Sequence, residues 1–516
     1  MTDFPARRDA PLALDSAAFR ALGHRLVDLV ADGLAGVPAG PVTRGESPGE
    51  IRAALGLGGP LPEQGADPAA LLETTARDLF AHSLFNGHPK FFGYITSSPA
   101  PIGIHADLLA SAINPNVGAF SLAPAATEIE VETVRWIAEL IGYPGDCGGL
   151  LVSGGNMANF VGFWAARAAV AARTGGDVRT QGVAAAAPRL CVYASGETHT
   201  WIQKATDLSG LGTDAIRWIP TDAEQRMDLA ALRARIAGDR AAGAMPFLVV
   251  GTAGSVSTGA VDDLPAIAAL CRAEALWFHV DGAYGGFAAA ATEAPAALKG
   301  LALADSVAID PHKWLYAPLE AGCVLVRDPA RLIAAFSYHP AYYHLETEAT
   351  NFVDYGMQNS RGFRALKVWL ALRQAGAAGY RRMIGDDIRL ASHLAGIVRA
   401  TPELEFTSEG LSIATFRFVP ADLAPRAAEP DVAAYLNALN QALLDRLQKG
   451  GEAFVSNAVL SGGRYVLRAC IVNIHTQRAD VEALPVIVLA NGRALDTALR
   501  PAALSAGART GRRETA

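Results

Sequence analysis

The chain of 516 residues carries 44 lysines and arginines against 51 aspartates and glutamates, a formal net charge of −7, and is 51% hydrophobic and 18% charged. A mildly acidic balance without basic blocks excludes a nucleic-acid binder, and no apolar run reaches the roughly 18–20 residues of a membrane span. The opening MTDFPARRDAPLALDS lacks the apolar core of a signal peptide. Five scattered cysteines (Cys147, Cys191, Cys271, Cys323 and Cys470) form no CxxC, so reduced thiols in the cytoplasm and no metal site are expected.

Residues 1–96 read as a helical arm. FRALGHRLVDLVADGLAG and ALLETTARDLFAHSLFNG flank the Pro/Gly-rich connector GLGGPLPEQGADP. Residues 16–56 have apolar faces but no core of their own, so packing across a partner subunit is expected. Between residues 97 and 371 the strand-sized runs GGLLVSG, RLCVYAS, PFLVVGTAG, LWFHVDGAYGG, DSVAIDPHK and AGCVLVRD alternate with helix-sized amphipathic stretches. That alternation predicts an α/β domain with a mainly parallel, doubly wound sheet. A helical stretch over 360–400 leads into a smaller C-terminal α+β domain over 372–500, marked by LEFTSEG, LSIATFRFVP and YVLRACIVN. The Ala/Gly/Arg-rich residues 501–516 read as a disordered tail.

Four segments carry chemistry that belongs together. LWFHVDGAY ends an apolar run on Asp281, and ligands of open α/β sheets gather at the carboxyl ends of strands. DPHKW sets Lys313 between SVAI and WLY, 313 − 281 = 32 residues after Asp281, about one βαβ step. A lysine in apolar company is costly unless it is neutral or covalently used, and a desolvated amine is a nucleophile towards an aldehyde. LVSGGNMAN, followed by a helix, places Gly155 and Asn156 where free backbone N–H groups and the helix dipole make an anion site. It matches neither a P-loop nor GxGxxG. YASGETHTW puts His199 after a strand, where its ring could stack in a cleft. Singly, Asp281 reads equally well as a capping aspartate, Lys313 as a loop lysine and His199 as an ordinary surface histidine. Jointly they supply what pyridoxal 5′-phosphate needs: an amine, a carboxylate for the ring nitrogen, an anion cradle and a flat group over the ring.

These blocks, together with HPKFFGY (88–94), NPNVGAFSLAPAATEIE (114–130) and SRGFRALKVWLALR (360–373), resemble in order and spacing the group II pyridoxal-phosphate amino-acid decarboxylases. That family contains the aromatic-L-amino-acid, histidine and glutamate decarboxylases. The resemblance implies a type I aminotransferase-like fold used as an intertwined homodimer. It implies Lys313 as Schiff-base lysine, Asp281 as partner of the pyridinium nitrogen, His199 as ring-stacking histidine and Ala283 on the opposite ring face. Gly155 and Asn156 become phosphate binders, and Asp310 and His312 line the phosphate and the substrate side. Asp310 departs from the asparagine that many relatives carry. A carboxylate there would repel a phosphate, so it is expected to point elsewhere. The serines of Gly254-Ser255-Val256-Ser257-Thr258 stand where relatives often carry threonines.

The implied reaction is decarboxylation of an L-amino acid to the amine and CO₂. A loop at 339–360 (HPAYYHLETEATNFVDYGMQNS) places the family's proton-donating tyrosine on Tyr342, with Tyr343 one residue away. Phe92, Tyr94 and Phe120 are the expected aromatic walls of the substrate pocket, with Tyr343 near them. FFGYITS and NVGAFSLAP contain no lysine or arginine to pair a side-chain carboxylate, which favours an aromatic substrate. Ile95, where aromatic-acid decarboxylases often carry phenylalanine, points instead to a smaller one. Oxidative deamination to an aldehyde, another Cα reaction, and a non-catalytic member of the fold are the alternatives.

Overall fold

Each apolar run picked out between residues 97 and 371 is a strand, and together they build one sheet. The computed structural model describes residues 10–173, 177–186, 189–340, 346 and 348–504. After the short β1 (Phe91–Phe92) come β2 (Gly148–Val152), β3 (Leu190–Ser195), β4 (Ile216–Ile219), β5 (Met245–Thr252), β6 (Trp277–Asp281), β7 (Ser306–Ile309) and β8 (Gly322–Val326). Strands β2 to β8 lie in the order β2-β8-β7-β6-β5-β3-β4. The pairings among β3 to β7 are parallel, and β8 runs against both its neighbours, β2 and β7. Every residue of β2, β3, β6, β7 and β8 is buried, which is why these strands read as unbroken apolar runs rather than alternating ones. The edge strand β4, IRWI, is partly exposed in its middle and escapes a reading based on apolar runs.

A second sheet unites β9 (Leu404–Gly410), β10 (Ile413–Phe418), β11 (Phe454–Leu460) and β12 (Arg464–Cys470) in the order β1-β11-β12-β10-β9. Its strands pair antiparallel except β1, which lies parallel to β11. Helices Pro430–Gly450 and Arg478–Leu499 contribute Leu436, Leu439, Val481 and Leu484 to its core. The end of the N-terminal segment therefore belongs to this sheet. Phe92 pairs with Val455 and is fully buried in the same core. Its expected place on a pocket wall is corrected: successive strand residues face opposite ways, and this pairing sends Phe92 into the small core while Phe91 joins Val42 and Phe454. Of the tail expected to be disordered, Ala502–Leu504 form a 3₁₀ turn with Leu504 buried against the small core. Residues 505–516 lie outside the described residues.

The helical stretch Ala365–Ala400 is interrupted at Gly376, whose φ of 64° and ψ of 166° suit glycine alone. Beyond the break, Tyr380 and Ile384 pack in the large core, whereas Ala391 to Val398 pack in the small one, so this element joins the domains. The arm helices Ser16–Gly36, Pro48–Ala54 and Pro68–His82 contain no buried residue. The first and third approach so closely at Gly33 that a Cβ there would lie 2.5 Å from the Phe80 ring. Among the described residues no helix is long and apolar enough to cross a membrane.

One buried ion pair fastens the segments around the sheet's carboxyl edge. Arg361, 3% exposed, pairs with the fully buried Glu130 and donates to the carbonyls of Val117 (2.8 Å) and Leu151 (2.7 Å). Glu130 Oε1 also accepts the Leu151 N–H at 2.8 Å. Helix Pro124–Ile141, β2 and the segment after loop 339–360 thus meet at one point. Replacing Glu130 by alanine leaves a buried guanidinium without its carboxylate, which costs about 3–5 kcal/mol. The expected outcome is a clearly lower urea midpoint for Glu130→Ala than for the wild type.

Candidate active site

The carboxyl ends of the parallel strands carry Ser195 (β3), Thr252 (β5), Asp281 (β6) and Ile309 (β7), and Asp310 to Lys313 follow β7 directly. The turn after β2 leads through Gly154 into helix Gly155–Arg173 at the same edge. A Cβ on Gly155 would lie 2.7 Å from Asp310 Oδ2 and 2.8 Å from Ala283 Cβ, and one on Gly154 would lie 3.3 Å from His312 Cε1. Only a residue without a side chain leaves that space open. Lys313 Nζ stands 2.9 Å from Asp310 Oδ2, and His312 Nε2 stands 3.6 Å from the same oxygen. The expectation that Asp310 points elsewhere is therefore corrected. Asp310 is 1% exposed and turns inward, where its buried charge finds its partner in the Lys313 amine. Gly155, Ala283, Asp310, His312 and Lys313 form one cluster.

Asp281 joins it through β6. Its Oδ2 accepts the Trp201 indole N–H at 2.8 Å, and its Oδ1 accepts the Ala283 backbone N–H at 3.2 Å. His199 is exposed at the mouth, just before helix Trp201–Leu208, with Nδ1 facing the Trp201 N–H at 3.4 Å. Asn156 is exposed in the first turn of its helix. Among the described residues, Ser195 Oγ, Thr252 Oγ1 and Asp310 Oδ1 are buried without a hydrogen-bond partner. Such orphans are costly, and three of them at strand ends fit a polar group bound there.

Behind Asp281 runs a fully satisfied polar chain. The Trp277 indole N–H donates to Ser306 Oγ at 2.8 Å. Ser306 Oγ–H then donates to His279 Nδ1 at 2.7 Å, which leaves His279 Nε2–H to donate to Asn159 Oδ1 at 2.7 Å. Asn159 Nδ2 donates to the Gly155 carbonyl at 2.8 Å, tying the Gly-rich turn to β6. Burial pushes His279 down to about 4, so its ring is neutral, as this chain of donors requires.

The chain matches the pyridoxal-dependent decarboxylase conserved domain over residues 57–419. It belongs to that family. The chain is 34% identical to the aromatic-L-amino-acid decarboxylase of Bacillus atrophaeus, covering 91% of this chain and 94% of that protein. It is 29% identical to a phenylacetaldehyde synthase of a Rosa hybrid cultivar, over 94% and 98% of the two chains. A solved structure of Oryza sativa TDC with PLP and tryptamine superposes with a TM-score of 0.86 at 30% identity, covering 95% of this chain and 100% of that one. The protein is a pyridoxal-phosphate-dependent amino-acid decarboxylase, a lyase, with the type I fold.

The decarboxylase fits its cofactor: an amine, an acceptor for a ring nitrogen, an open Gly turn at a helix N-terminus and three orphaned polar atoms lie at one edge of the sheet. Of the expected pocket walls, Tyr94 is 54% exposed with a left-handed φ of 48°, and its N–H donates to Ser456 Oγ at 3.3 Å. Phe120 is half-buried, its N–H donating to Asn351 Oδ1 at 3.1 Å. Tyr342 and Tyr343 lie outside the described residues. Sequence reading missed Arg468. This guanidinium is 2% exposed and donates to neutral acceptors, Ser456 Oγ at 2.9 Å and the Val256 carbonyl. Among the described residues it forms no ion pair with a carboxylate, and burial lowers its proton affinity. Its signal was a lone arginine inside the apolar run YVLRACIV. Ser195 and Thr252 were findable as the last residues of apolar strands, each followed closely by glycine.

The His279 shift has a stability consequence. Unfolded, the imidazole takes up a proton near 6.5, and folded it resists until about 4. Between these values the unfolded chain binds more protons, so stability present above pH 6.5 is lost as pH falls. The contribution is up to about 3 kcal/mol. Thermal melts of His279→Gln are expected to show a shallower acid limb between about pH 6.5 and 4 than wild type.

Proposed function

We propose that the decarboxylase converts an aromatic L-amino acid to its amine and CO₂, as a homodimer in the cytoplasm. The observation that carries this reading is the buried Arg468, which forms no ion pair among the described residues and shares Ser456 Oγ as acceptor with the N–H of Tyr94, so that a carboxylate receptor and an aromatic side chain are neighbours. A guanidinium pairs well with a substrate's α-carboxylate. Neither 91–97 nor 116–124 offers a second cation for an acidic side chain. The similarity to the Bacillus atrophaeus enzyme supports the same choice.

Pyridoxal phosphate, when bound, supplies an electrophilic carbon for the substrate amine and a ring that takes up the electron pair released with CO₂. The chain's own groups do the rest. Lys313 Nζ would hold the cofactor covalently, and Asp281 would keep the proton on the ring nitrogen. Gly155 and Asn156 N–H groups would face the phosphate, with Asp310 offset by Lys313 and His312. His199 would lie on one ring face and Ala283 on the other. Arg468 orients the carboxylate, and Tyr342 delivers a proton to Cα.

Exposed Phe19 and Leu34 on Ser16–Gly36, Leu71 and Leu79 on Pro68–His82, and Leu108, Leu109 and Ile113 on Pro101–Ile113 support a second copy as cover. All five cysteines are thiols, which suits a reducing compartment. The second reading, an aldehyde product, is favoured by the similarity to the rose phenylacetaldehyde synthase. Product analysis separates them, as amine against aldehyde with ammonia and peroxide.

Borohydride treatment is expected to fix the cofactor to the peptide containing Lys313. Lys313→Ala should abolish turnover, and a label on another lysine overturns the assignment. Asp281→Asn is expected to lower kcat by about 10²–10³, and a near-wild-type variant contradicts its role. In a side-by-side assay, kcat/KM for tryptophan, tyrosine or phenylalanine should exceed that for glutamate, histidine and leucine. A burial advantage of roughly 1–3 kcal/mol for a flat ring sets the scale. Light scattering should show a dimer at assay concentration, and an active monomer removes that part of the proposal.

A further inference from the structure

Asp281 carries its negative charge at the end of a buried strand, yet among the described residues no lysine, arginine or histidine forms an ion pair with it. Lys313 is taken by Asp310. His279, two residues away on β6, is neutral and spends both ring nitrogens on Ser306 and Asn159. What holds the carboxylate is the Ala283 backbone N–H at 3.2 Å and, more closely, the Trp201 indole N–H at 2.8 Å.

Trp201 is built for that contact. It is fully buried at the first position of helix Trp201–Leu208 and stands edge-on to the His279 ring, with centroids 5.6 Å apart and planes at 79°. An indole N–H is a donor and nothing else. Its bond to Asp281 therefore has one direction and is charge-assisted only while the carboxylate is ionised. The same turn carries His199, so Trp201 also sets the position of the residue at the mouth relative to the residue at the strand end.

We propose that Trp201 is a positioning residue. Its indole N–H fixes the Asp281 side chain in one rotamer, aimed at the ring nitrogen of bound pyridoxal phosphate. The inference rests on the reading of Asp281 given above, and the test keeps the two apart.

Trp201→Phe keeps the apolar bulk and removes the N–H. Pyridoxal 5′-phosphate titrated into the apoenzyme, followed by the cofactor's visible absorbance, is expected to bind about ten-fold more weakly than in wild type, the scale of one hydrogen bond to a charged group. At saturating cofactor, kcat should fall by about the same factor with KM within two-fold. The deciding measurement is a double-mutant cycle. In an Asp281→Asn background, Trp201→Phe should change cofactor affinity and kcat by less than two-fold, because the charge it serves is gone. A packing role would give the same loss in both backgrounds, and that result overturns the proposal, as does a Trp201→Phe enzyme with wild-type affinity and kcat. Trp201→His, which returns a ring N–H, is expected to recover part of the loss. If Trp201→Phe does not fold, Trp201→His and Trp201→Tyr are carried through the same cycle, and equal losses with and without Asp281 overturn it equally. An Asp281→Asn single variant with wild-type properties defeats instead the reading of Asp281 on which the inference stands.

Discussion

Lys313 and Asp310 stand three residues apart after the carboxyl end of β7, and their 2.9 Å ion pair closes where Asp310 is almost wholly buried. A pair of charges so placed is costly to assemble and more costly to break. It persists because the surroundings are arranged around it. His312 approaches the same carboxylate oxygen, and Gly155 withholds a side chain that would fill the space beside it. Parallel pairing of β5, β6 and β7 brings Thr252, Asp281 and Ala308 into register, so the strand ends share one edge. The cleft is a consequence of that topology and of where the charges must sit within it.

The lysine turn is also held from behind. Asp387, on the helical stretch that joins the domains, accepts the Trp314 indole N–H at 2.8 Å and the Tyr316 hydroxyl at 2.7 Å. Burial pushes its carboxyl up to about 8, so at neutral pH it takes both bonds mostly as the uncharged acid. Tyr284 stacks on Trp314 at 5.1 Å and 15°. The residue next to Lys313 is thereby locked between a stacking ring of the large domain and an acceptor from the interdomain helix. Behind the site, Asp387 and His279 lie buried in their uncharged forms, while Glu130 and Arg361 neutralise one another. Asp281 forms no ion pair with any described residue, and a ring cation is what would complete it.

The parts legible in advance are those with short-range signatures. Strands β2, β3, β5, β6, β7 and β8 announced themselves as apolar runs because a sheet buried on both faces needs no polar alternation. β4 did not, because an edge strand is half-wet and resembles a loop. Asp281, Lys313 and the Gly155 turn stood out because each follows such a run, and strand ends are where ligands gather. Phe92 misled because an aromatic in a motif looks the same whether its ring faces a cleft or a core. β1 pairing with β11, a strand more than three hundred residues later in the sequence, decided which.

Taken by itself, then, the sequence determined the buried strands of the large sheet, the Gly-rich turn, the amine and the carboxylate, since periodicity and spacing are local properties of the chain. Only the tertiary structure decided their neighbours. Trp201 reaches Asp281 across 80 residues, and Arg468 reaches Val256 across 212. Asp310 turns inward and, buried there, is paired by the Lys313 amine. Such choices are settled by desolvation and packing among segments that meet only on folding, and no local pattern records which segments will meet.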